Sequence, residues 1–167
     1  QDGAAIGGEV RESYLFNTSI QGIENADAIL IVGANPRIEA PLLNARIRKA
    51  WLNGKTEVAV IGQQAELTYD YAYFGEGSKI VGKPTKAVTD FLTKAERPAI
   101  IVGMGALTGE HGAAVLSALG ALAKKAGVVK DGWNGFNVLH TAAARVAGLD
   151  MGFLPQDGGL SVNDMLK

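Results

Sequence analysis

The four apolar residues Ile29-Leu30-Ile31-Val32 end at Gly33, and the turn Ala34-Asn35-Pro36 leads into a segment whose Leu43, Ile47, Ala50 and Trp51 share one helical face. A strand that is apolar on both sides has no surface to show to water. It suits the centre of a parallel sheet covered by helices on both faces. Strand, tight turn and amphipathic helix together make half of a βαβ unit.

Glu57-Val58-Ala59-Val60-Ile61-Gly62, with Asn53-Gly54 ahead of it, predicts the second strand and completes that unit. Residues 67–74 carry three tyrosines and a phenylalanine without clear periodicity, which predicts a loop or short irregular helix closed by Gly75-Glu76-Gly77. Lys79-Ile80-Val81-Gly82 predicts a third, marginal strand. Pro84 suits a first helical turn, with Val88, Phe91, Leu92 and Ala95 on one face and a stop before Pro98. Ala99-Ile100-Ile101-Val102-Gly103 predicts a further strand. Residues 104–109 then form a glycine-rich turn into a helix that places Val115, Ala118, Leu119, Leu122 and Ala126 on one side and ends at Gly127. A last helix is predicted over 137–146, with Val138, Leu139, Ala142 and Val146 together. This alternation predicts an α/β fold: a Rossmann-like, doubly wound, mainly parallel sheet of three to five strands flanked by helices.

The 167 residues suffice for one domain, and a domain of that size buries roughly 70% of its unfolded surface. Residues 13–152 read as the folded part. The flanking segments 1–12 and 153–167, with Gly7-Gly8 and Gln156-Asp157-Gly158-Gly159, read as flexible. A chain that opens on Gln1 and ends on Lys167 without a closing element reads as a piece of a longer protein. Cysteine is absent, which excludes disulfides, thiolate metal sites, iron–sulfur ligation and cysteine nucleophiles within these residues. His111 and His140 alone argue against a histidine-built metal centre. With 16 basic residues against 17 acidic ones there is no general field to draw in nucleic acid or an anionic membrane. The apolar runs are too short to span a bilayer and the N-terminus lacks a signal-peptide layout, so the chain reads as cytosolic or as part of a soluble assembly.

In a doubly wound sheet the ligand crevice lies beyond the carboxyl ends of the strands, which points to the turns 33–37 and 103–109. Gly103-Met104-Gly105-Ala106-Leu107-Thr108-Gly109 resembles a dinucleotide fingerprint at a helix start, but its last glycine is one residue late and no acidic residue closes a strand about 20 residues on. Asn35 and Arg37 offer an amide and a guanidinium to a phosphate or purine, or else simply close a turn and sit in water. Arg46, Arg48 and Lys49 form a basic run that either meets acidic residues of a partner or is a solvated helix face. Tyr69, Tyr71, Tyr73 and Phe74 suit either a partner surface or loop packing over the sheet. No G-x-S-x-G elbow, H-E-x-x-H or P-loop lysine is present, and no catalytic or metal-binding residues are assigned.

Three longer runs are more specific. Residues 14–27, the phrase Asn35-Pro36-Arg37-Ile38-Glu39-Ala40-Pro41-Leu42-Leu43-Asn44-Ala45-Arg46-Ile47-Arg48-Lys49, and Leu67-Thr68-Tyr69 closely resemble the large iron–sulfur subunits of respiratory complex I, in the alphaproteobacterial and mitochondrial branch. The resemblance extends over 11–152. It implies a piece of that subunit's C-terminal region, related to the molybdopterin oxidoreductases, in which a strand-Gly-x-Asn-Pro loop lies against a pterin dinucleotide. Gly33, Asn35 and Pro36, with Gly103 and Gly105 of the second loop, would then be the vestigial cofactor loops. The resemblance further implies a structural, cofactor-free domain, with iron–sulfur clusters elsewhere in the parent subunit. Its partners would be the rest of that subunit and other peripheral-arm subunits, on the cytoplasmic side of a bacterial inner membrane without insertion into it. The alternative is a domain that still binds pterin guanine dinucleotide in a molybdenum or tungsten oxidoreductase.

Overall fold

β1 (Ala28–Val32) is buried at every position and is flanked on both sides by parallel partners, as its unbroken apolar run requires. A computed structural model describes residues 6, 10–155, 158–160 and 165–167. After β1 come α1 (Pro36–Glu39), α2 (Pro41–Leu52), β2 (Glu57–Ile61), β3 (Ala72–Tyr73), α3 (Ser78–Gly82) and α4 (Lys86–Thr93). The chain continues through β4 (Pro98–Gly103), α5 (Met104–Leu107), α6 (Gly112–Lys125), β5 (Val129–Lys130), β6 (Trp133–Asn134), β7 (Phe136–Leu139) and α7 (Ala144–Asp150). Among these residues the main sheet has five parallel strands in the order β3-β2-β1-β4-β7, and β5 and β6 form a separate antiparallel hairpin. This is the expected Rossmann-like architecture.

Alternation along the strands divides the core in two. Leu30, Val32, Ile61, Ile100 and Val102 face Val88 and Leu92 of α4 and Val115 and Leu119 of α6. Ile29, Ile31, Val58, Val60 and Ile101 face Leu43 and Ile47 of α2, joined by Leu67 and Tyr69 from the connection between β2 and β3. The chain moves one way across the sheet from β1 to β3 and the other way from β3 to β7. Right-handed crossovers therefore put α2 on one face and α4 and α6 on the opposite one. The order reverses between β1 and β4.

Polar contacts fix the ends of this core. The Asp27 carboxylate accepts from the backbone N–H groups of Glu96 and Arg97 at 2.7 and 2.8 Å, which sets β4 beside β1. At the far edge, β7 is covered by the N-terminal segment. Val138 donates its N–H to the Leu15 carbonyl at 2.9 Å, and buried Asn137 accepts from the Thr18 N–H at 2.9 Å.

The structure corrects three expectations. Residues 79–82 form helix α3 instead of a strand: Gly77, at φ 99°, redirects the chain, and N–H groups of Ile80 and Lys83 close local turns onto Gly77 and Lys79. The single apolar pair Ile80-Val81 is too short to carry a period. The helix expected over 137–146 is instead β7, paired from Ile100–Phe136 to Gly103–Leu139, followed by α7. The open edge of β4 decides this, since a short apolar run suits strand and helix alike. The stretch read as loop or irregular helix holds the two-residue strand β3. Most residues of the segments read as flexible fall outside the described residues. Of the rest, Ile6 is buried, and Arg11 pairs with Asp150 at 2.9 Å.

Two carboxylates tie the short 3-10 turns, Arg11–Ser13 and Gly22–Asn25, to the helices. Asp150 accepts from Arg11 and from the Tyr14 hydroxyl, and Glu24 accepts from Lys49 and Arg46. Asp150 is held below its ordinary range by hydrogen bonding first from Arg11 and then from Tyr14. Glu24 is lowered in the same way by Lys49 and then Arg46. A carboxylate depressed in the folded state stabilises the fold above its unfolded pKa, about 4, and that contribution is lost as pH falls through the lower folded value. The melting temperature should therefore drop as pH falls below about 4. Asp150→Asn and Glu24→Gln should each reduce that drop in thermal scans followed by circular dichroism, and identical acid profiles in both variants would mean that the pairs do not form in solution.

Candidate functional site

A cleft of about 1000 Å³ opens beyond the carboxyl ends of β1 and β2, beside the point where the strand order reverses. Its floor is Val32-Gly33 and Ile61-Gly62, one wall is residues 63–66, another is 76–78 with Val81, and the third runs from Gly105-Ala106 to the start of α6. The glycines of the two loops pack against each other. A Cβ on Gly33, which sits at φ 60°, would lie 2.6 Å from the Ala106 Cβ; one on Gly103 would lie 2.6 Å from the Ala34 Cβ and the Gly33 carbonyl oxygen, and one on Gly105 would lie 2.7 Å from that same oxygen. The two loops come this close only because three of these positions lack side chains.

Several backbone donors around the cleft are engaged within the chain. Gly33 donates its N–H to the Ile61 carbonyl and Gly62 to the Gly75 carbonyl, each at 2.9 Å. At the start of α1 the Asn35 N–H donates to the Glu39 carboxylate, so the chain's own anion holds that position. Gly112 and Val115 at the start of α6 donate to Gly109 and His111 at 2.9 Å. By contrast, the buried Asn35 side-chain oxygen has no donor. Of the charged groups lining the cleft, Arg37 is paired with Glu66, and Glu39, Glu76 and Glu110 are acidic.

The wall over residues 63–69 is an irregular connection between two neighbouring parallel strands, so its carbonyls need partners from elsewhere. Three consecutive ones find them on α1 and α2. Arg37 donates to the Glu66 carbonyl at 2.9 Å, Asn44 to the Leu67 carbonyl at 3.0 Å and Arg48 to the Thr68 carbonyl at 3.1 Å. The Tyr69 hydroxyl donates to the Asn44 side-chain oxygen at 2.8 Å, and burial pushes that phenol's pKa up. Thr68 is held at φ 74°, a conformation that costs a β-branched residue on the order of 1–3 kcal/mol, with its N–H on the Glu66 carboxylate.

The sequence profile of the molybdopterin oxidoreductase family matches residues 1–167. This chain belongs to that family. Within it, the chain is similar to the mitochondrial NADH-ubiquinone oxidoreductase 78 kDa subunits of Candida albicans, at 43% identity over 151 residues, and Neurospora crassa, at 41% over 154 residues. The NADH dehydrogenase (ubiquinone) iron-sulfur protein 1 of Solanum tuberosum is 39% identical over 151 residues. Each alignment covers 89% of this chain but only 20 to 21% of the relative, so the chain spans about a fifth of the length of the relatives it matches. The resemblance read from the phrase at 35–49 is thereby shown.

In this molybdopterin oxidoreductase-family domain, Gly33, Asn35 and Gly105 line the cleft, whereas Pro36 opens α1 and Gly103 closes β4, both beside the cleft instead of on its surface. Arg37 and His111 also line it. His140 lies after β7, where its Nε2 donates to the Tyr14 carbonyl at 2.7 Å. In the basic run of α2, Arg46 and Lys49 hold Glu24 and Arg48 donates to the Thr68 carbonyl, while Arg48 and Lys49 remain exposed to solvent. Of the aromatic set, Tyr69 is buried on Asn44, Tyr71 donates to the Ala65 carbonyl at 2.8 Å and Phe74 meets Phe91 edge-on. Tyr73 stays exposed.

Sequence reasoning did not assign the carbonyl clamp, although Asn44 and Arg48, four residues apart on α2, share a helical face. Among the described residues no group of three His, Asp or Glu side chains is placed to hold a metal ion, and no helix is long and apolar enough to cross a membrane.

Two stability experiments probe this arrangement. Gly33→Ala should cost about 2–4 kcal/mol through the positive φ and the contact with Ala106. Gly120→Ala, inside α6 with open space around its Cβ, should instead gain about 0.5–1 kcal/mol. Asn44→Ala should cost about 2–4 kcal/mol and Tyr69→Phe about 1–2 kcal/mol, with the double variant losing less than the sum in urea denaturation. Strict additivity would dissolve the clamp as a unit.

Proposed function

We propose that this chain is a structural, cofactor-free domain of a subunit resembling those of complex I, which shapes the part of the enzyme in which it sits without carrying electrons itself. The single observation that carries this reading is the Glu39 carboxylate on the Asn35 N–H at the start of α1. A pterin dinucleotide brings a diphosphate, and a diphosphate binds where backbone donors at a loop and helix start are free. Here the N–H groups of Gly33, Asn35 and Gly62 are engaged within the chain, and the acidic side chains that line the cleft would repel it. These residues do not fit that group.

The relatives are named as subunits of NADH-ubiquinone oxidoreductase, one of them as an iron-sulfur protein. On the proposed reading this chain takes part in NADH:quinone electron transfer only as a member of such an assembly. With no cysteine among its 167 residues, any iron–sulfur cluster is held by other parts of the subunit. Its partners are those parts and neighbouring peripheral subunits, on the cytoplasmic face of a bacterial inner membrane.

The size of the cleft and its place at the strand-order reversal favour a second reading, a retained pterin guanine dinucleotide. Native and denaturing mass spectrometry of the protein from a pterin-producing host separates the two. Identical masses and no pterin fluorescence are expected. A mass excess matching a pterin dinucleotide would overturn the cofactor-free reading and make Gly33, Asn35 and Gly105 its contacts.

A further inference from the structure

Three features of the cleft bear on what it can hold. The first is its acidity: Glu76 and Glu110 line it from different walls with no ion-pair partner among the described residues, while the lining guanidinium, Arg37, is taken by Glu66. Lys79 lines a smaller adjoining depression instead of the cleft. The second is that the N–H groups of Gly33, Asn35 and Gly62 are engaged within the chain. The third is an apolar rim. Ile38 lines the cleft and Leu42 follows four residues on, and both are 76% exposed, which is unusual for large aliphatic side chains in adjacent helical turns.

These features select a class of ligand. An anion is repelled. A bare metal ion needs ligands gathered at one point, and no such group exists among the described residues. Carboxylates spread around a cleft of about 1000 Å³, with aliphatic side chains at the mouth, match something long that carries positive charge at intervals and apolar surface between.

We propose that the cleft seats an extended polypeptide segment, from outside these residues, that presents arginine or lysine to Glu76 and Glu110 and an aliphatic side chain to Ile38. The proposal rests on the cofactor-free reading, because the segment takes the space a dinucleotide would need.

Fluorescence anisotropy with a labelled heptapeptide of alternating arginine and leucine tests it, beside the same peptide with glutamate in place of arginine and beside guanosine diphosphate. The arginine peptide should bind, and more weakly as salt is raised. The paired change Glu76→Gln and Glu110→Gln should weaken binding by about tenfold, the loss expected of two charge-assisted contacts, with an unchanged melting temperature. Ile38→Ser should weaken it while leaving the salt dependence as it was. No binding of the arginine peptide, equal binding of the glutamate peptide, or an unaltered affinity in the carboxylate variant would overturn the proposal. If neither peptide nor nucleotide binds, the proposal fails and the cofactor-free reading stands. Tight binding of guanosine diphosphate would sink both.

Discussion

Joining two neighbouring parallel strands without a helix leaves a run of backbone carbonyls that the sheet cannot satisfy, and the connection from β2 to β3 is of this kind. The donors come from α1 and α2, through Arg37, Asn44 and Arg48 on three successive carbonyls. α2 thereby does two jobs. Its apolar side covers one face of the sheet through Leu43 and Ile47, and its polar side fixes a loop that inserts Leu67 and Tyr69 into the same core layer. Without the clamp the loop would present unpaired carbonyls beside apolar side chains, a costly arrangement in low dielectric. The position of the cleft wall therefore follows from the packing of α2.

The same economy of donors governs the cleft. A strand-order reversal leaves a crevice by geometry alone, because the connections from β1 and β4 leave toward opposite faces. Whether the crevice holds an anion depends on which atoms line it. In this chain the loop glycines serve the close approach of the two connections, and the N–H groups of Gly33 and Gly62 are bonded to neighbouring carbonyls. The Glu39 carboxylate accepts from the Asn35 N–H at the start of α1. Carboxylates outnumber basic side chains on the lining of the crevice.

Membership of the molybdopterin oxidoreductase family and similarity to complex I subunits agree with the architecture, but architecture alone is compatible with many functions. The informative part is local: acidic side chains and an apolar rim in one place. These argue for recognition of polypeptide over small-molecule chemistry.

Much of this was legible before any coordinates. The apolar runs of β1, β2 and β4, each ending at a glycine or just before one, suit central parallel strands, and the helical faces of α2, α4 and α6 are periodic over enough residues to be recognised. The phrase around Asn35 pointed to the family. The glycines at 33, 103 and 105 marked the right loops, though not the reason for them, since which backbone a missing Cβ would strike is a fact about two segments seventy residues apart. Tertiary structure alone decided that Phe136–Leu139 is a strand and residues 79–82 a helix, because runs of that length take the conformation their neighbours offer. It alone paired Arg46 and Lys49 with Glu24, since long side chains on a helix have no partner until distant chain is brought beside them. Local pattern determined the elements, and long-range contact determined the chemistry of the cleft between them.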